Sequence, residues 1–314
     1  MIAFGPVPSR RLGHSLGVNN IPPKHCSYAC IYCQLGRASQ MQVARRSFYG
    51  VETIRHAVAA KVTEVRRSGV ALDYLTFVPD GEPTLDVDLG REIKALKAFG
   101  VPIAVITNSS LIWREDVRQD LLEADWVSLK VDTVREDVWR RLDRPHGALC
   151  LTSILEGALA FARAFSGTLV TETMLVRNVN ERPEVVEDLA AFLEQLAPSV
   201  AYLGIPTRPP AESWVEPPTE AGFNRAFQLV AHAVPQVEAL IGYEGNAFAS
   251  TGDVTEDLLS ITAVHPMRED AVRAMLADAR VDWAVVERLI TAGQLTETSH
   301  DGHRFYVRRF ARRP

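Results

Sequence analysis

Cysteine is scarce: 314 residues hold four, too few to staple a chain of this length with disulfides. Long apolar runs are absent as well. No window approaches about 18 consecutive apolar residues, so no membrane-spanning helix is expected. Met1-Ile2-Ala3-Phe4-Gly5-Pro6 carries no basic n-region followed by an apolar h-region, and a cytoplasmic protein is the expectation. Positive charge is not in excess. Lys and Arg number 34 against 39 Asp and Glu, a net −5, which excludes a protein that coats nucleic acid by bulk charge. Low-complexity tracts are missing. With 47% hydrophobic residues and a mean hydropathy of −0.02 the chain can bury a real core, so disordered and collagen-like classes are out. The length fits one large domain, or a domain of roughly 200–250 residues with a small appendage.

What is present is alternation. Ile54, Val58, Val62 and Val65 recur at helical spacing, and Gly69 suits the position that ends such a helix. Tyr74–Val78 is short, aromatic and β-branched, as a buried strand is. The same reasoning predicts strands at 101–107, 126–131, 169–176 and 201–205, and helices at 89–99, 114–123, 151–165, 183–196 and 220–234. Ser15–Asn19 reads as a strand leading into the cysteine loop. About six β-then-α units imply a parallel sheet covered by helices, open or barrel-like.

Two stretches look like joints. Pro206–Pro218 is proline-rich and follows a strand, so a loop over the C-terminal edge of the sheet is expected. At 245–253 the alternation stops. Beyond it lie three helical pieces (256–261, 268–276, 282–292) and two alternating runs around Asp301-Gly302, a hairpin signal. Three helices and a hairpin describe a winged-helix-like α+β unit. The predicted division is 1–247 and 248–314.

Three of the four cysteines, Cys26, Cys30 and Cys33, stand at C-x3-C-x2-C spacing. Thiolates so close in sequence converge on one centre if the loop folds around a metal. Three are one short of the four that close a structural zinc or iron–sulfur site. An iron–sulfur cubane held by three leaves one iron with free positions for a substrate or cofactor. His25, next to Cys26, offers a fourth ligand for zinc, and that alternative stays open.

The cysteine run, with the aromatic Tyr32 before the last cysteine, resembles the signature of the radical S-adenosylmethionine (SAM) superfamily. The resemblance implies a 4Fe–4S cluster on Cys26, Cys30 and Cys33, with SAM chelating the open iron. It implies reductive cleavage of SAM to methionine and a 5′-deoxyadenosyl radical that abstracts a substrate hydrogen. It also implies a partial (β/α)6 barrel and an electron donor such as flavodoxin or ferredoxin. Gly81-Glu82-Pro83-Thr84 resembles the family's G-G-E motif, which contacts the SAM amino group; Asp80 replaces the first glycine. Asn108 and Ser109 end the next strand, where the family contacts the ribose and carboxylate of SAM. Lys130 and Asp132 end the strand after that and would face the same mouth. Val176 and Glu181 match part of the G-x-I-x-G-x-x-E pattern that supports the adenine; Met174 and Asn178 replace its glycines. Pro206, after the last strand, would set backbone groups near the adenine. Lys130 and Cys150 are the catalytic candidates, Cys150 as a hydrogen donor to a product radical.

Gly5–Gly13, Cys33–Arg37 and Pro206–Pro210 together resemble a subgroup of wyosine-synthase-like Fe–S oxidoreductases, over about residues 1–245. A wyosine synthase carries a second cluster and acts on tRNA. Here only Cys150 is left over, which disfavours branches that need auxiliary clusters. Arg10, Arg11, His14, Lys24 and Arg208 are candidate substrate contacts. Converging at the mouth, they would take an anionic small molecule or nucleotide. The C-terminal unit has a basic wing and tail, with His303, Arg304, Arg308, Arg309, Arg312 and Arg313, so nucleic acid is a candidate partner and tRNA-base modification an alternative activity. Its third helix mixes Asp282 and Glu287 with Arg288, which fits a capping or dimerising role. A zinc-stabilised winged-helix nucleic-acid-binding regulator is the alternative of another class.

Overall fold

The computed structural model describes residues 1–241 except 37 and 39, and residues 254–308 except 265 and 301. The chain opens with an antiparallel hairpin, β1 (Ala3–Ser9) and β2 (Gly13–Val18). Two short strands, β3 (His25–Cys26) and β4 (Gln40–Met41), bracket the cysteine loop and pair with each other. The alternation then follows: α1 (Val51–Arg67), β5 (Tyr74–Phe77), α2 (Leu89–Leu96), β6 (Ile103–Thr107), α3 (Glu115–Leu121), β7 (Trp126–Lys130), α4 (Glu136–Leu142), α5 (Leu151–Ala164), β8 (Thr168–Met174), α6 (Pro183–Leu196), β9 (Val200–Gly204), α7 (Glu220–Ala233) and β10 (Val237–Leu240). Every strand and helix read from periodicity up to residue 234 has its counterpart here, to within a few residues at the ends. The periodicity reading missed β1, the two-residue β3 and β4, α4 and β10.

The main sheet has eight strands in the order β1-β2-β5-β6-β7-β8-β9-β10. From β2 to β10 all neighbours are parallel; only β1 runs the other way. Among the described residues the sheet is open, with β1 and β10 at its edges and no strand pairing that closes a barrel. Pro6 and Pro8 sit in β1 at little cost because an edge strand has one side free of ladder hydrogen bonds. One face is covered by helices. Ile54, Val58, Ile93, Leu121, Phe161 and Leu193 pack there on Leu75, Val105, Val127 and Leu203 in one continuous core.

The other face is layered. At the strand starts Ala104, Trp126, Val170 and Tyr202 meet around Leu12 from the β1–β2 turn, so that turn plugs the N-terminal end with apolar side chains. Further along the same face Ile106, Ser128, Lys130, Glu172 and Met174 line a cavity. This change of polarity along each strand creates the site at the C-terminal end, as in other β/α folds.

Residues 254–308 form a separate α+β segment with its own apolar core: α8 (Val254–Val264), β11 (Met267–Arg268), α9 (Glu269–Asp278), α10 (Ala284–Thr291), β12 (Leu295–His300) and β13 (His303–Arg308). β13 lies between β11 and β12 in an antiparallel sheet. Helix α8 packs on β1, and Val7 joins this second core. The boundary at 247/248 falls outside the described residues. No helix among the described residues is long and apolar enough to cross a membrane.

Candidate functional site

The cysteine loop leaves the end of β2 and is held down from several sides. The Ala29 and Ile31 amides donate to the carbonyls of Asp143 (3.0 Å) and Leu142 (2.9 Å), at the end of α4. The His146 amide donates to the Ser27 carbonyl (2.9 Å), and the Gln42 amide to the Cys26 carbonyl (3.0 Å). The proline-rich segment 206–218 also packs here: the Glu212 amide donates to the Ile31 carbonyl (3.1 Å), and Val215 is buried against Ile31. Tyr28 lies under the loop, its hydroxyl accepting from Trp139 Nε1 at 3.1 Å.

Cys26, Cys30 and Cys33 all line one cavity of about 340 Å³. Burial pushes the Cys26 thiol up to about 12 and raises the other two. As bare thiols they are poor nucleophiles, and only a cation would make thiolates of them. Asn108 Nδ2 points at the Cys26 sulfur (3.4 Å) and at Ser27 Oγ (3.0 Å). The Cys30 thiol faces Asp143 Oδ1 at 3.4 Å. Among the described residues no three His, Cys, Asp or Glu side chains are drawn around a single point as ligands of one metal ion, although the three cysteines line the same cavity.

The Gly81-Glu82-Pro83-Thr84 turn packs directly on this loop. The Glu82 amide donates to the His25 carbonyl at 3.0 Å. The Glu82 carboxylate is buried and saturated. Oε1 accepts from the Thr84 amide (3.0 Å), Thr84 Oγ1 (2.5 Å) and Thr107 Oγ1 (2.6 Å), and Oε2 from the Asn108 amide (2.7 Å). It therefore clasps the ends of β5 and β6 together rather than facing the cavity. Gly81 does line the cavity, and a Cβ there would overlap the His25 carbonyl oxygen. Gly81→Ala is accordingly expected to push the cysteine loop out of place. It should lower the iron taken up per chain on anaerobic reconstitution, while Gly147→Ala, where a Cβ meets nothing within 4 Å, should not.

A buried polar chain runs along the floor. Arg11 pairs with Glu172, whose other oxygen lies 3.1 Å from Lys130 Nζ. Lys130 is 3.9 Å from Asp132, and its ammonium lies 5.0 Å from the centre of the Tyr32 ring. The Tyr32 hydroxyl donates to Asp132 and, at 3.2 Å, to Asp143. Burial alone would raise Glu172, but Arg11 and Lys130 outweigh it and hold the carboxylate down to about 2. Burial would lower Lys130, yet Asp132 and Glu172 keep it above its ordinary value. Lys130 is thus a fixed cation rather than a proton acceptor.

Of the residues singled out in the sequence, Cys26, Cys30, Cys33, Tyr32, Gly81, Asn108, Lys130, Pro206, Arg11, Lys24 and Arg208 meet around this cavity. Glu82, Pro83, Ser109 and Asp132 are buried behind its wall. Val176 lies in an apolar cluster beneath Ile31, and Glu181 sits against the first turn of α7, near Gly222, accepting from the Asn178 amide (3.1 Å). Neither lines the cavity. Arg10 is exposed in the turn at the N-terminal end of the sheet; His14, at the same end, pairs with Asp73, 3.8 Å away. Both lie away from the mouth. Cys150 is exposed just before α5. Asp143 and Glu172 belong to the site and carried no local sequence signal. In the C-terminal segment Arg304 pairs with Glu269, His303 contacts Arg268 (3.1 Å) and Arg308 donates to the Leu259 carbonyl (3.2 Å); Arg309, Arg312 and Arg313 lie outside the described residues.

The fold resembles those of two solved proteins. SuiB of Streptococcus suis bound to S-adenosylmethionine superposes with a TM-score of 0.53 at 12% identity, over 75% of this chain and 53% of that one. A radical SAM methyltransferase from Sphaerobacter thermophilus gives 0.53 at 16% identity, over 72% of this chain and 66% of that one. At such identities the likeness is one of fold. In sequence the chain is 44% identical to the UPF0026 protein MJ1312 of Methanocaldococcus jannaschii, over 98% of this chain and 96% of that protein. A UPF0026 protein of Helicobacter pylori is 37% identical over 62% of this chain and 63% of its own length. Residues 20–192, more than half the chain and including the cysteine loop, the Gly81 turn and the Lys130 strand, match the Radical SAM superfamily profile, and the chain belongs to that superfamily.

Proposed function

We propose that the protein is a single-cluster radical SAM enzyme, with Cys26, Cys30 and Cys33 as ligands of a 4Fe–4S cluster and the rest of the cavity as the SAM and substrate chamber. The observation that carries this reading is the arrangement of the three thiols on one cavity wall, with Gly81 and Asn108 beside them. In a cubane each cysteine binds its own iron, and three cysteines lining one cavity can serve three irons of one cluster. When bound, the cluster and SAM supply a 5′-deoxyadenosyl radical for hydrogen abstraction, with an electron from a donor such as flavodoxin or ferredoxin. The chain's own residues do the rest. Asn108 directs an N–H at the Cys26 sulfur, Glu82 fixes the turn, and the Arg11–Glu172–Lys130 floor sets fixed charges under the ligands.

Within the superfamily we place the chain in the wyosine-synthase-like subgroup without auxiliary clusters. The three segments that carry this resemblance meet in the cavity wall through Arg11, Gln34, Leu35, Gly36, Pro206, Thr207 and Arg208. The element order of residues 254–308 supports a winged-helix-like unit, and its docking on β1 supports a packing role. Anaerobic reconstitution tests the enzyme reading. A brown protein that yields 5′-deoxyadenosine from SAM and dithionite is expected; a colourless zinc protein that leaves SAM intact would overturn it.

A further inference from the structure

A second cavity of about 170 Å³ opens from the first beneath the β1–β2 hairpin. Its walls are chiefly apolar, with Phe4, Val7, Leu12 and Val78 among them. The polar groups there mostly answer one another. Ser15 Oγ and Thr76 Oγ1 lie 2.5 Å apart, Arg11 pairs with Glu172, and Arg208 donates to Gln34 Oε1 at 2.8 Å. Asp80 differs. It lines both cavities and is 3% exposed, and its Oδ1 has no hydrogen-bond partner among the described residues. The chain's amino terminus, Arg308 and Lys24 are the positive charges in its neighbourhood, and none forms an ion pair with it.

A buried carboxylate oxygen without a donor is costly, and a ligand that donates to it would offset that cost. Burial pushes Asp80 up to about 7, against the opposing pull of the amino terminus, Arg308 and Lys24. Gly81 lines only the larger cavity, whereas Asp80 also reaches the smaller one. The sequence pointed to an anionic substrate through five cationic residues. Two of them, Arg10 and His14, lie away from both cavities, Lys24 lines only the larger one, Arg11 is paired with Glu172, and Arg208 donates to the neutral Gln34 and keeps its charge.

We propose that Asp80 receives a protonated amine of the substrate at the junction of the two cavities, so that the substrate class is a small cationic amine whose apolar part occupies the smaller cavity. This rests on the radical SAM reading, in which the larger cavity takes SAM.

The test uses the full chain, with and without reconstituted cluster and SAM. Calorimetric titration compares n-butylamine and putrescine with butyrate and inorganic phosphate. The amines are expected to bind at least tenfold more tightly than either anion. Asp80→Asn should weaken amine binding roughly tenfold or more, the scale of a hydrogen bond to a charged group. Asp80→Glu, which keeps the charge, should retain part of it. Tighter binding of butyrate or phosphate, no amine binding, or equal amine binding by Asp80→Asn overturns the proposal. Should Asp80→Asn fail to fold, the amine-to-anion ratio of the unaltered chain decides. Lack of any SAM-dependent change in the cluster's EPR signal would instead overturn the radical SAM reading, and the titration without SAM still reports on Asp80.

Discussion

Alanine at Cys26, Cys30 or Cys33, taken singly, is expected to leave the anaerobically reconstituted protein without iron–sulfur absorption and with 5′-deoxyadenosine formation at background. Alanine at Cys150 should change neither. The backbone of the loop is committed at Ala29, Ile31, Cys26 and Ser27 to partners in four other segments, so no neighbouring donor can move into a vacated place. His25 does not substitute: its Nδ1 faces the Pro22 carbonyl at 3.2 Å, and its Nε2 lies 3.3 Å from Arg46. With two thiolates the cluster would have two open irons in place of one, and no other cysteine lines the cavity to cover the second. Iron and sulfide analysis with EPR after dithionite reduction is the measurement. A single-cysteine variant that keeps a full cluster and full SAM cleavage would remove that thiol from the ligand set.

Local chemistry was legible and distant pairing was not. Helical stripes such as Ile54-Val58-Val62-Val65 and buried runs such as Tyr74–Phe77 are written within a few residues, and they place the sheet, its helices and the loops at its C-terminal end. The cysteine spacing and the Gly81 turn are equally local. Strand β1 was hidden by its prolines, which an edge position tolerates. Helix α4 was passed over although α3, of the same seven residues, was read. Asp143 reads as a helix-end residue until α4 is docked on the cysteine loop. The Arg11–Glu172 pair joins residues 161 apart, and nothing near either one announces the other. The expected convergence of cations failed for the same reason: arginine composition carries no sign of which carboxylate neutralises which guanidinium. Val176 and Glu181 fitted a motif by spacing alone, whereas the structure uses one as core and the other beside a helix start.

Glu172→Gln should destabilise the fold by roughly 3 kcal/mol at pH 7, the low end for breaking a buried ion pair, since the cavity side stays wet. Arg11, Lys130 and Glu172 keep only 14%, 15% and 18% of their side-chain surface exposed, so the amide would leave two cations facing one another with no anion between them. Linkage gives the same size. A carboxylate held at about 2 when folded, against about 4.3 when unfolded, contributes roughly 3 kcal/mol. The sign follows from the lowered value. The contribution is whole above about pH 4.3, fades as acid is added, and is gone once the pH falls through about 2. Urea titrations at pH 7, 5, 4 and 3 should therefore show a constant gap between wild type and variant at the upper two values, narrowing at the lower two. Combining Glu172→Gln with Lys130→Met should cost less than the sum of the single changes, because the second substitution removes a cation the first left unpaired. Equal stability of Glu172→Gln and wild type at pH 7 would mean that the floor is not an ion triad. The fixed cations under the chamber would then need another account, because Glu172 is the carboxylate that touches both Arg11 and Lys130.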